Sequence, residues 1–298
     1  MVKKTKVTTS SIAINAFFIL FSLSFILPFL LIVSISLSSE DLVLKNGYSL
    51  IPKSMDFTAY KYIFANLKQM VDSYKITALT SALGTVLGVL VMSLMAYPLS
   101  RRDFLFRKQL TFYIFFTMLF SGGLIPTYIL LTQHLKMGDS MWVYIFPSLV
   151  SAWYIIILRT FFQGLPTSLV ESAKMDGASE IKVFYKIILP LSKPVIATIG
   201  LFVLLNRWND WYTSLIYIRS KELYTLQFLL QRILRDAQFV KDMSREVPVG
   251  INITLINDSP VETMKFAMCI VAAGPMLLVF PFFQKYFTRG LTVGAVKG

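Results

Sequence analysis

The chain has 298 residues, of which 55% are hydrophobic and 15% are charged, and its mean hydropathy is +0.64. This composition excludes an ordinary soluble domain of the same length, which is far less apolar. The formal net charge of +13 does not indicate nucleic-acid binding, because basic residues also collect on the cytoplasmic side of membrane proteins.

Six apolar runs are long enough to cross a bilayer, which takes about 20 helical residues. Each run is about twice as long as a strand of a transmembrane barrel, so we predict helices. The fold class is therefore an all-α membrane protein with six transmembrane helices, expected to form a single domain over residues 1–298. The predicted spans cover residues 12–35, 76–99, 110–132, 141–163, 194–217 and 263–285.

The first span follows the basic segment MVKKTK, an arrangement shared with secretory signal peptides. Its apolar run is longer than the roughly 7–15 residues of a signal peptide. We therefore expect the first span to be retained as a helix.

The short loops indicate the orientation. The loop SRRDFLFRK after the second span is strongly basic, whereas the loop KMGDS after the third span is not. Short loops rich in Lys and Arg stay in the cytoplasm. The sequence therefore predicts that both termini are cytoplasmic and that residues 36–75 and 218–262 lie outside.

Glycines mark two of the spans. Gly84 and Gly88 form a G-x-x-x-G pattern in the second span, which is typical of close helix packing against a neighbour inside or outside the chain. Ser121-Gly122-Gly123 in the third span indicates a helix break or a close-packing site.

No residue pattern indicates chemistry within the chain. A G-x-x-x-x-G-K-[ST] phosphate loop is absent from the sequence. The single Cys269 and the single His134 have no companions for a disulfide or a metal site. We therefore expect no catalytic residue, no metal and no cofactor on this chain.

The loop over residues 164–193 is polar and structured. Ser168 and Glu171 have the S-x-x-E spacing of a capping box, which starts a helix. Asp176-Gly177 predicts its end, because glycine adopts the left-handed conformation that terminates helices.

A second helix is predicted to start at Ser179. Apolar residues follow at i, i+3, i+4 and i+7 as Ile181, Phe184, Tyr185 and Ile188. The residues alone leave two interpretations open: an amphipathic segment lying on lipid headgroups, or a rigid plug for a cytoplasmic partner.

The fifth span contains NRWNDWYTS, the most polar stretch of any predicted span. Charged residues inside a membrane usually face a bundle interior or a water-filled cavity. Arg207 and Asp210 are three residues apart and could pair on one helix face. The alternative is an interfacial aromatic belt with a structural ion pair.

The second outer segment carries an amphipathic helix. It could pack on the bundle or form a docking face for an external partner. Its apolar stripe at helical spacing consists of Leu223, Leu226, Leu230, Ile233, Leu234 and Ala237.

The segment ESAKMDGASEIKVFYKIILPLSKP resembles the EAA motif of ABC importer permeases, with its E-A-A, D-G-A and I-x-L-P elements. Ser172 stands where that family usually has Ala. Six spans, RWNDWYTSLIY and the tail RGLTVGAVKG resemble carbohydrate-uptake permeases of the maltose-transporter G-subunit type. The matching positions are Glu171, Ala173, Asp176, Gly177, Ala178, Phe184, Ile187, Leu189, Pro190 and Pro194.

The resemblance implies a non-catalytic permease subunit of an ATP-driven importer in the bacterial plasma membrane, which moves an oligosaccharide or polysaccharide fragment by alternating access. The implied partners are a second permease, two ATPase subunits that hold ATP and Mg, an extracytoplasmic substrate-binding protein and membrane lipid. Residues 164–193 would be the coupling helix, and residues 294–298 would also reach the ATPase.

The resemblance also implies two sets of site residues. The ATPase-coupling residues are Glu171, Ser172, Ala173, Asp176, Gly177, Ala178, Phe184 and Pro190. The substrate path, where flat aromatic faces suit sugar rings, would contain Arg207, Trp208, Asn209, Asp210, Trp211 and Tyr212.

Three alternatives remain from the sequence. An importer permease for a non-sugar solute would share the same motif. An ion-coupled secondary transporter would show inverted repeats and several buried acids, whereas Asp210 is the only acid deep in a predicted span. A membrane enzyme would need a nucleophile with its base, or metal ligands.

Overall fold

Helices make up most of residues 9–246 and 260–295, the part of the chain that this computed structural model describes. The predicted all-α class is confirmed for this part. The helices are α1 Thr9–Ser36, α2 Glu40–Asn46, α3 Thr58–Ile63, α4 Leu67–Ser100, α5 Arg107–Leu119, α6 Leu124–Ile129, α7 Ala152–Gln163, α8 Thr167–Met175, α9 Glu180–Val183, α10 Leu189–Leu191, α11 Lys193–Trp208, α12 Tyr212–Tyr217, α13 Leu226–Glu246 and α14 Val261–Ala295.

Short turns of tighter or wider helix join these elements. Leu130–His134 and Phe184–Ile188 are π-helical, and Met141–Tyr144 and Lys221–Leu223 are 3₁₀ turns. Such departures from α geometry are common where a helix carries a functional or strained segment.

The chain divides into two compact units. One unit contains the residues up to Asn66 together with Leu230–Gly274, and the other contains Leu67–Leu229 and the residues from Pro275 onward. In the first unit, the Glu40 carboxylate accepts the backbone N–H groups of Glu262 and Thr263 at 3.0 and 2.9 Å. It thereby satisfies free donors at the start of α14 with a negative charge.

The second unit is built around α4. This helix packs against α7 and α11. The core extends from these helices to the loop that follows α7, where Val170, Val183 and Phe184 are buried. Both candidate sites described below lie in this unit.

Three helices in the described residues are long and apolar enough to cross a membrane: Ile12–Ser36, Leu67–Ser100 and Val261–Gln284. Counting each of two sharply bent helix pairs as one span raises this number to five. The first pair, Arg107–Leu119 with Leu124–His134, bends by 111°, and the second, Glu180–Leu191 with Lys193–Trp208, bends by 80°.

As continuous helices, the third, fourth and fifth predicted spans were wrong. The third breaks after Leu119, as the Ser-Gly-Gly sequence indicated, and Gly123 has a φ of +84°. The fourth contains a 3₁₀ turn and an irregular segment before α7, whose 12 residues extend only about 18 Å. The fifth breaks between α11 and α12. Hydropathy registers apolar content and does not register backbone breaks that a side chain stabilises.

The amphipathic helix predicted in the segment 218–262 is confirmed as α13. Leu226, Leu230 and Ala237 of its stripe are buried. Leu223 lies outside the helix, in the preceding 3₁₀ turn.

The bend at Gly123 gives the first testable prediction. A side chain at a positive φ costs about 1–2 kcal/mol, so Gly123→Ala should lower the melting temperature of the detergent-solubilised protein. Gly122→Ala is the matched control, because its Cβ would make only an ordinary 3.9 Å contact with Pro126. Equal melting temperatures for the two variants would contradict the assignment of the bend to Gly123.

Candidate functional site

The elbow, residues 164–193, folds as two short helices joined by a tight turn. Gly177 has a φ of +75°, and its N–H donates to the Lys174 carbonyl at 3.0 Å. The N–H of Ala178 reaches back to the Ala173 carbonyl at 2.9 Å. These two bonds form a Schellman motif, so the predicted Asp176-Gly177 helix end is confirmed.

The two helix starts differ from each other. Ser179 accepts a hydrogen bond from the Lys182 N–H at 3.4 Å, as predicted for a cap. The predicted capping box at Ser168 was wrong. The helix α8 begins at Thr167, its N-cap residue is Pro166, and no side-chain hydrogen bond caps this start. Ser168 therefore lies inside the first turn, because the helix starts two residues earlier than the S-x-x-E pattern suggests.

The predicted apolar stripe of the second helix is only half buried. Phe184 is 2% exposed and Ile188 is buried, whereas Ile181 and Tyr185 are exposed. The π-helical turn over Phe184–Ile188 explains the difference. Its wider i→i+5 spacing rotates the faces away from the α-helical register that the sequence suggested.

Glu180 links the elbow to the end of α4 through its carboxylate. Its carboxylate accepts from the Lys174 ammonium at 2.5 Å and from the Tyr97 hydroxyl at 2.6 Å. Burial raises the pKa of the Glu180 carboxyl, but the hydrogen bonds from Lys174 and Tyr97 outweigh it and hold the pKa below its usual value. The sequence alone does not reveal this role of Glu180, because Tyr97 is 83 residues away from it along the chain.

A second link joins the elbow to the loop after α4. Asp103 accepts from Arg101 at 3.0 Å and also contacts the Lys174 ammonium at 3.5 Å. The hydrogen bond from Arg101 is the main reason that the pKa of Asp103 is lowered. Lys174 therefore bridges two carboxylates from different elements, and its own pKa is raised mainly by the hydrogen bond to Glu180.

The predicted coupling residues divide by exposure. Phe184 is the buried member, and its ring packs on Tyr97 with centroids 5.4 Å apart. Ala173 and Ala178 are half-buried, and the exposed members are Glu171, Ser172, Asp176, Gly177 and Pro190.

Two exposed apolar side chains were missed at the turn of the elbow. Met175 is 89% exposed and Ile181 is 72% exposed, on either side of the Asp176-Gly177 turn. These two side chains leave apolar surface open to a partner at the turn of an otherwise polar segment. The signal in the sequence was their position next to the turn.

A cavity of about 360 Å³, which we call the polar cavity because Asn206, Asn209 and Asp210 line it, lies at the break between α11 and α12. It brings together five of the six predicted substrate-path residues. Trp208 is not among them, because its side chain is 4% exposed and packs in the interior. Asn206, Tyr154 and Ser148 were not predicted and also line the cavity.

Arg207 forms one wall of this polar cavity. Its guanidinium donates to the carbonyls of Tyr144 and Ser148 at 2.8 Å each and reaches that of Ile145 at 3.5 Å. Tyr144 ends the 3₁₀ turn, and Ile145 and Ser148 lie in the irregular segment before α7, where carbonyls have no helical donors. The predicted ion pair with Asp210 is replaced by these bonds.

Gly84 and Gly88 make room for the Arg207 guanidinium. A Cβ on Gly84 would overlap the guanidinium, and one on Gly88 would lie 3.0 Å from the Leu149 carbonyl oxygen. The close packing expected from G-x-x-x-G is thus internal to the chain. Its neighbours are an arginine and an irregular segment rather than a second smooth helix.

Asp210 organises the break itself. Its carboxylate accepts the Thr213 N–H at 3.0 Å in the first turn of α12, and its carbonyl accepts from the Thr225 hydroxyl at 2.8 Å. The Ser214 hydroxyl lies 2.6 Å from the Tyr144 hydroxyl and 2.9 Å from that of Thr225. This buried hydroxyl network, which the sequence analysis missed, holds the segment around Trp211 and Tyr212 in place.

The polar cavity therefore offers amides, one carboxylate and two partly exposed aromatic rings. Asn209 accepts from Gln227 at 3.1 Å, and Asn206 donates to Tyr154 at 3.4 Å. Neutral donors and acceptors beside flat aromatic faces suit a hydroxyl-rich ligand. Within the described residues, no group of three His, Cys, Asp or Glu side chains is placed to hold a metal ion.

Residues 84–293 match the protein family described as the binding-protein-dependent transport system inner membrane component. The chain belongs to this family. It is therefore a multi-pass protein of the plasma membrane, and the predicted resemblance to importer permeases is confirmed. The matched region contains both the elbow and the polar cavity.

Curated relatives and a solved structure agree with the family. The polygalacturonan/rhamnogalacturonan transport system permease protein YtcP of Bacillus subtilis (strain 168) is 39% identical over 96% of this chain and 97% of its own. The arabinooligosaccharides transport system permease protein AraQ of the same organism is 32% identical over 96% of both chains. A crystal structure of a bacterial ABC transporter involved in import of the acidic polysaccharide alginate matches with a TM-score of 0.70 at 28% identity, covering 96% of this chain and 100% of that one.

The Arg207 packing gives the second prediction. Gly84→Ala should displace the guanidinium and lower the melting temperature by the equivalent of about 1–3 kcal/mol, the usual cost of overpacking. Gly200→Ala is the control, because its Cβ would make an ordinary 3.9 Å contact with Phe283.

A double-mutant cycle separates this effect from a general cost of alanine in α4. Gly84→Ala combined with Arg207→Ala should cost less than the sum of the single changes, because the clash disappears with the guanidinium. Additive costs would show that the two residues do not share a contact.

Proposed function

We propose that this chain is one permease subunit of an ATP-driven ABC importer that takes up an oligosaccharide or polysaccharide fragment. The observation that carries the proposal is the elbow, a rigid helical turn with exposed apolar side chains on a membrane protein of this family. The names of the two relatives specify transport of polygalacturonan/rhamnogalacturonan and of arabinooligosaccharides, which supports a saccharide substrate for this chain.

The elbow is proposed to be the contact for an ATPase subunit on the cytoplasmic side. With both termini cytoplasmic, the basic loop after α4 and the elbow lie on the same side, which fits the Asp103–Lys174 link between them. The side chains of Met175 and Ile181 would pack against the ATPase surface. Gly177 would allow the tight turn between them. The tail at residues 296–298 lies outside the described residues.

Movement of the elbow would reach the membrane helices through the contacts described above. Phe184 packs on Tyr97, and Glu180 joins Lys174 to the same tyrosine. A rigid displacement of the elbow would therefore act on the end of α4. Alternation between outward- and inward-facing states then depends on the partners binding the two states with different affinity, not on chemistry within this chain.

The polar cavity is proposed to lie on the saccharide path. An extracytoplasmic binding protein would deliver the substrate, and a second permease would complete the pore. Trp211 and Tyr212 would pack on sugar rings, while Asn206, Asn209 and Asp210 would bond hydroxyl groups. Arg207 would take no direct part, because its guanidinium is engaged by backbone carbonyls.

The coupling role gives the third prediction. Gly177→Pro should abolish most saccharide uptake by the reconstituted importer, because proline fixes φ near −65° and removes the N–H that ends α8. ATP hydrolysis should lose its dependence on the binding protein. Uptake and ATP hydrolysis in proteoliposomes are the measurements.

Gly47→Pro is the matched control for this test. Gly47 has the same φ of +75°, open space around its α-carbon, and an N–H that donates to the preceding helix at Val43. The local strain is therefore equivalent, and coupled uptake should persist. Equal losses of uptake in the two variants would mean that backbone strain, and not a lost contact with the ATPase, causes the loss.

The substrate path gives the fourth prediction. Trp211→Ala should raise the half-saturation concentration for uptake about fivefold, the effect of losing an aromatic contact worth about 1 kcal/mol. Trp142→Ala is the control, because Trp142 packs on Phe146 and lies outside the polar cavity. An unchanged half-saturation concentration in Trp211→Ala would remove this cavity from the path while leaving the coupling proposal intact.

A further inference from the structure

A larger cavity, of about 1040 Å³, lies along α5 and α7. It is lined by cationic residues at one end and by apolar residues over the rest of its length. The cations are Arg102, Arg107, Lys108 and Arg159, and the apolar residues are Phe104, Leu105, Phe112, Phe115, Met118, Trp153 and Ile156.

The cationic end holds two guanidinium groups against one neutral oxygen. The Gln163 side-chain amide satisfies its neighbours when its oxygen faces the two arginines. In this orientation the oxygen accepts a hydrogen bond from Arg107 at 2.7 Å and one from Arg159 at 3.2 Å. Arg159 also donates to the Leu99 carbonyl at 3.1 Å. Neutral acceptors fix the positions of the two groups but leave their charges uncompensated.

The nearby acid does not compensate these charges. Asp103 is the acidic residue that lines the cavity, and it is already engaged by Arg101 and Lys174. Arg102 and Lys108 add further positive charge at the same end. The arrangement is therefore complementary to an anion with several oxygen acceptors, which guanidinium groups bind in a bidentate manner.

The apolar end would not be needed by a small soluble anion. Phe112 is 68% exposed and Trp153 is 60% exposed, so both side chains offer apolar surface to a ligand in the cavity. Ten residues separate Lys108 from Met118, which corresponds to an apolar track of about 15 Å along α5. The start of α5 and the end of α7 both lie at the cationic end of the cavity. Each helix therefore carries basic side chains at that end and apolar side chains along the rest of the cavity.

We propose that this cavity binds an anionic phospholipid, with the phosphate on the Arg107–Arg159 pair and an acyl chain along Phe112, Phe115 and Trp153. A basic pocket between membrane helices, at the level where the apolar surface starts, has the chemistry of a lipid headgroup site. This inference depends on the membrane location of the family and is independent of the saccharide and of the elbow.

The test uses the assembled importer, purified from nanodiscs that contain phosphatidylglycerol and phosphatidylcholine, with native mass spectrometry of retained lipid. The wild type should retain phosphatidylglycerol in preference to phosphatidylcholine. Arg107→Gln with Arg159→Gln should reduce that retention about tenfold, a loss of about 1.4 kcal/mol. Lys193→Gln, which removes an exposed cation of the elbow, should not change it.

Two further variants keep the test decisive. Arg107→Lys with Arg159→Lys keeps the charge but loses the bidentate geometry, so it should retain more phosphatidylglycerol than the glutamine variant and less than the wild type, which separates charge loss from misfolding. Phe112→Ser with Phe115→Ser should lower retention while leaving both guanidinium groups in place.

Three results would overturn the proposal. Unchanged phosphatidylglycerol retention in the Arg107/Arg159 glutamine variant would place the lipid elsewhere. Displacement of the lipid by inorganic phosphate, with no effect of the Phe112/Phe115 variant, would identify a free-anion site. If no lipid is retained, and the cysteine of a Phe112→Cys variant is protected from water-soluble thiol reagents, the second permease covers the cavity.

Discussion

The bonds from Arg207 to three backbone carbonyls determine how the second unit is built. The segment between Tyr144 and Leu149 is irregular within a stretch of apolar sequence, and carbonyls left without donors in such a place cost several kcal/mol each. Arg207 supplies the donors at 2.8 Å to Tyr144 and Ser148. Gly84 leaves the space that the guanidinium occupies. This arrangement therefore stabilises the break before α7 and the polar cavity beside it.

The same constraint changes how the charged residues of the fifth predicted span are understood. A charge inside a membrane is usually considered a ligand for substrate or a partner in an ion pair. Arg207 instead acts on the backbone, and Asp210 starts α12. The groups left available in the cavity are the amides and the aromatic rings, which suit hydroxyl-rich ligands better than charged ones.

One continuous helix, α4, contacts both candidate sites. Gly84 packs on Arg207 beside the polar cavity, and Tyr97 bonds Glu180 of the elbow. The two positions are 13 residues apart, or about 20 Å along the axis. A rigid helix of this length provides a physical route by which a displacement of the elbow could alter the cavity, and the buried core on α7 and α11 keeps it in place.

The sequence by itself determined the helical membrane class, the family, the Asp176-Gly177 turn and the burial of Phe184, because apolar run length and local turn chemistry depend on near neighbours in the chain. It also located the polar segment at 206–212. Only the tertiary structure decided that Arg207 bonds carbonyls rather than Asp210, that Glu180 joins Lys174 to Tyr97, and that the fourth and fifth predicted spans are broken. The contacts of Arg207 with the carbonyls and of Tyr97 with Glu180 join residues about 60 to 80 positions apart, and such contacts leave no periodic signal in the sequence.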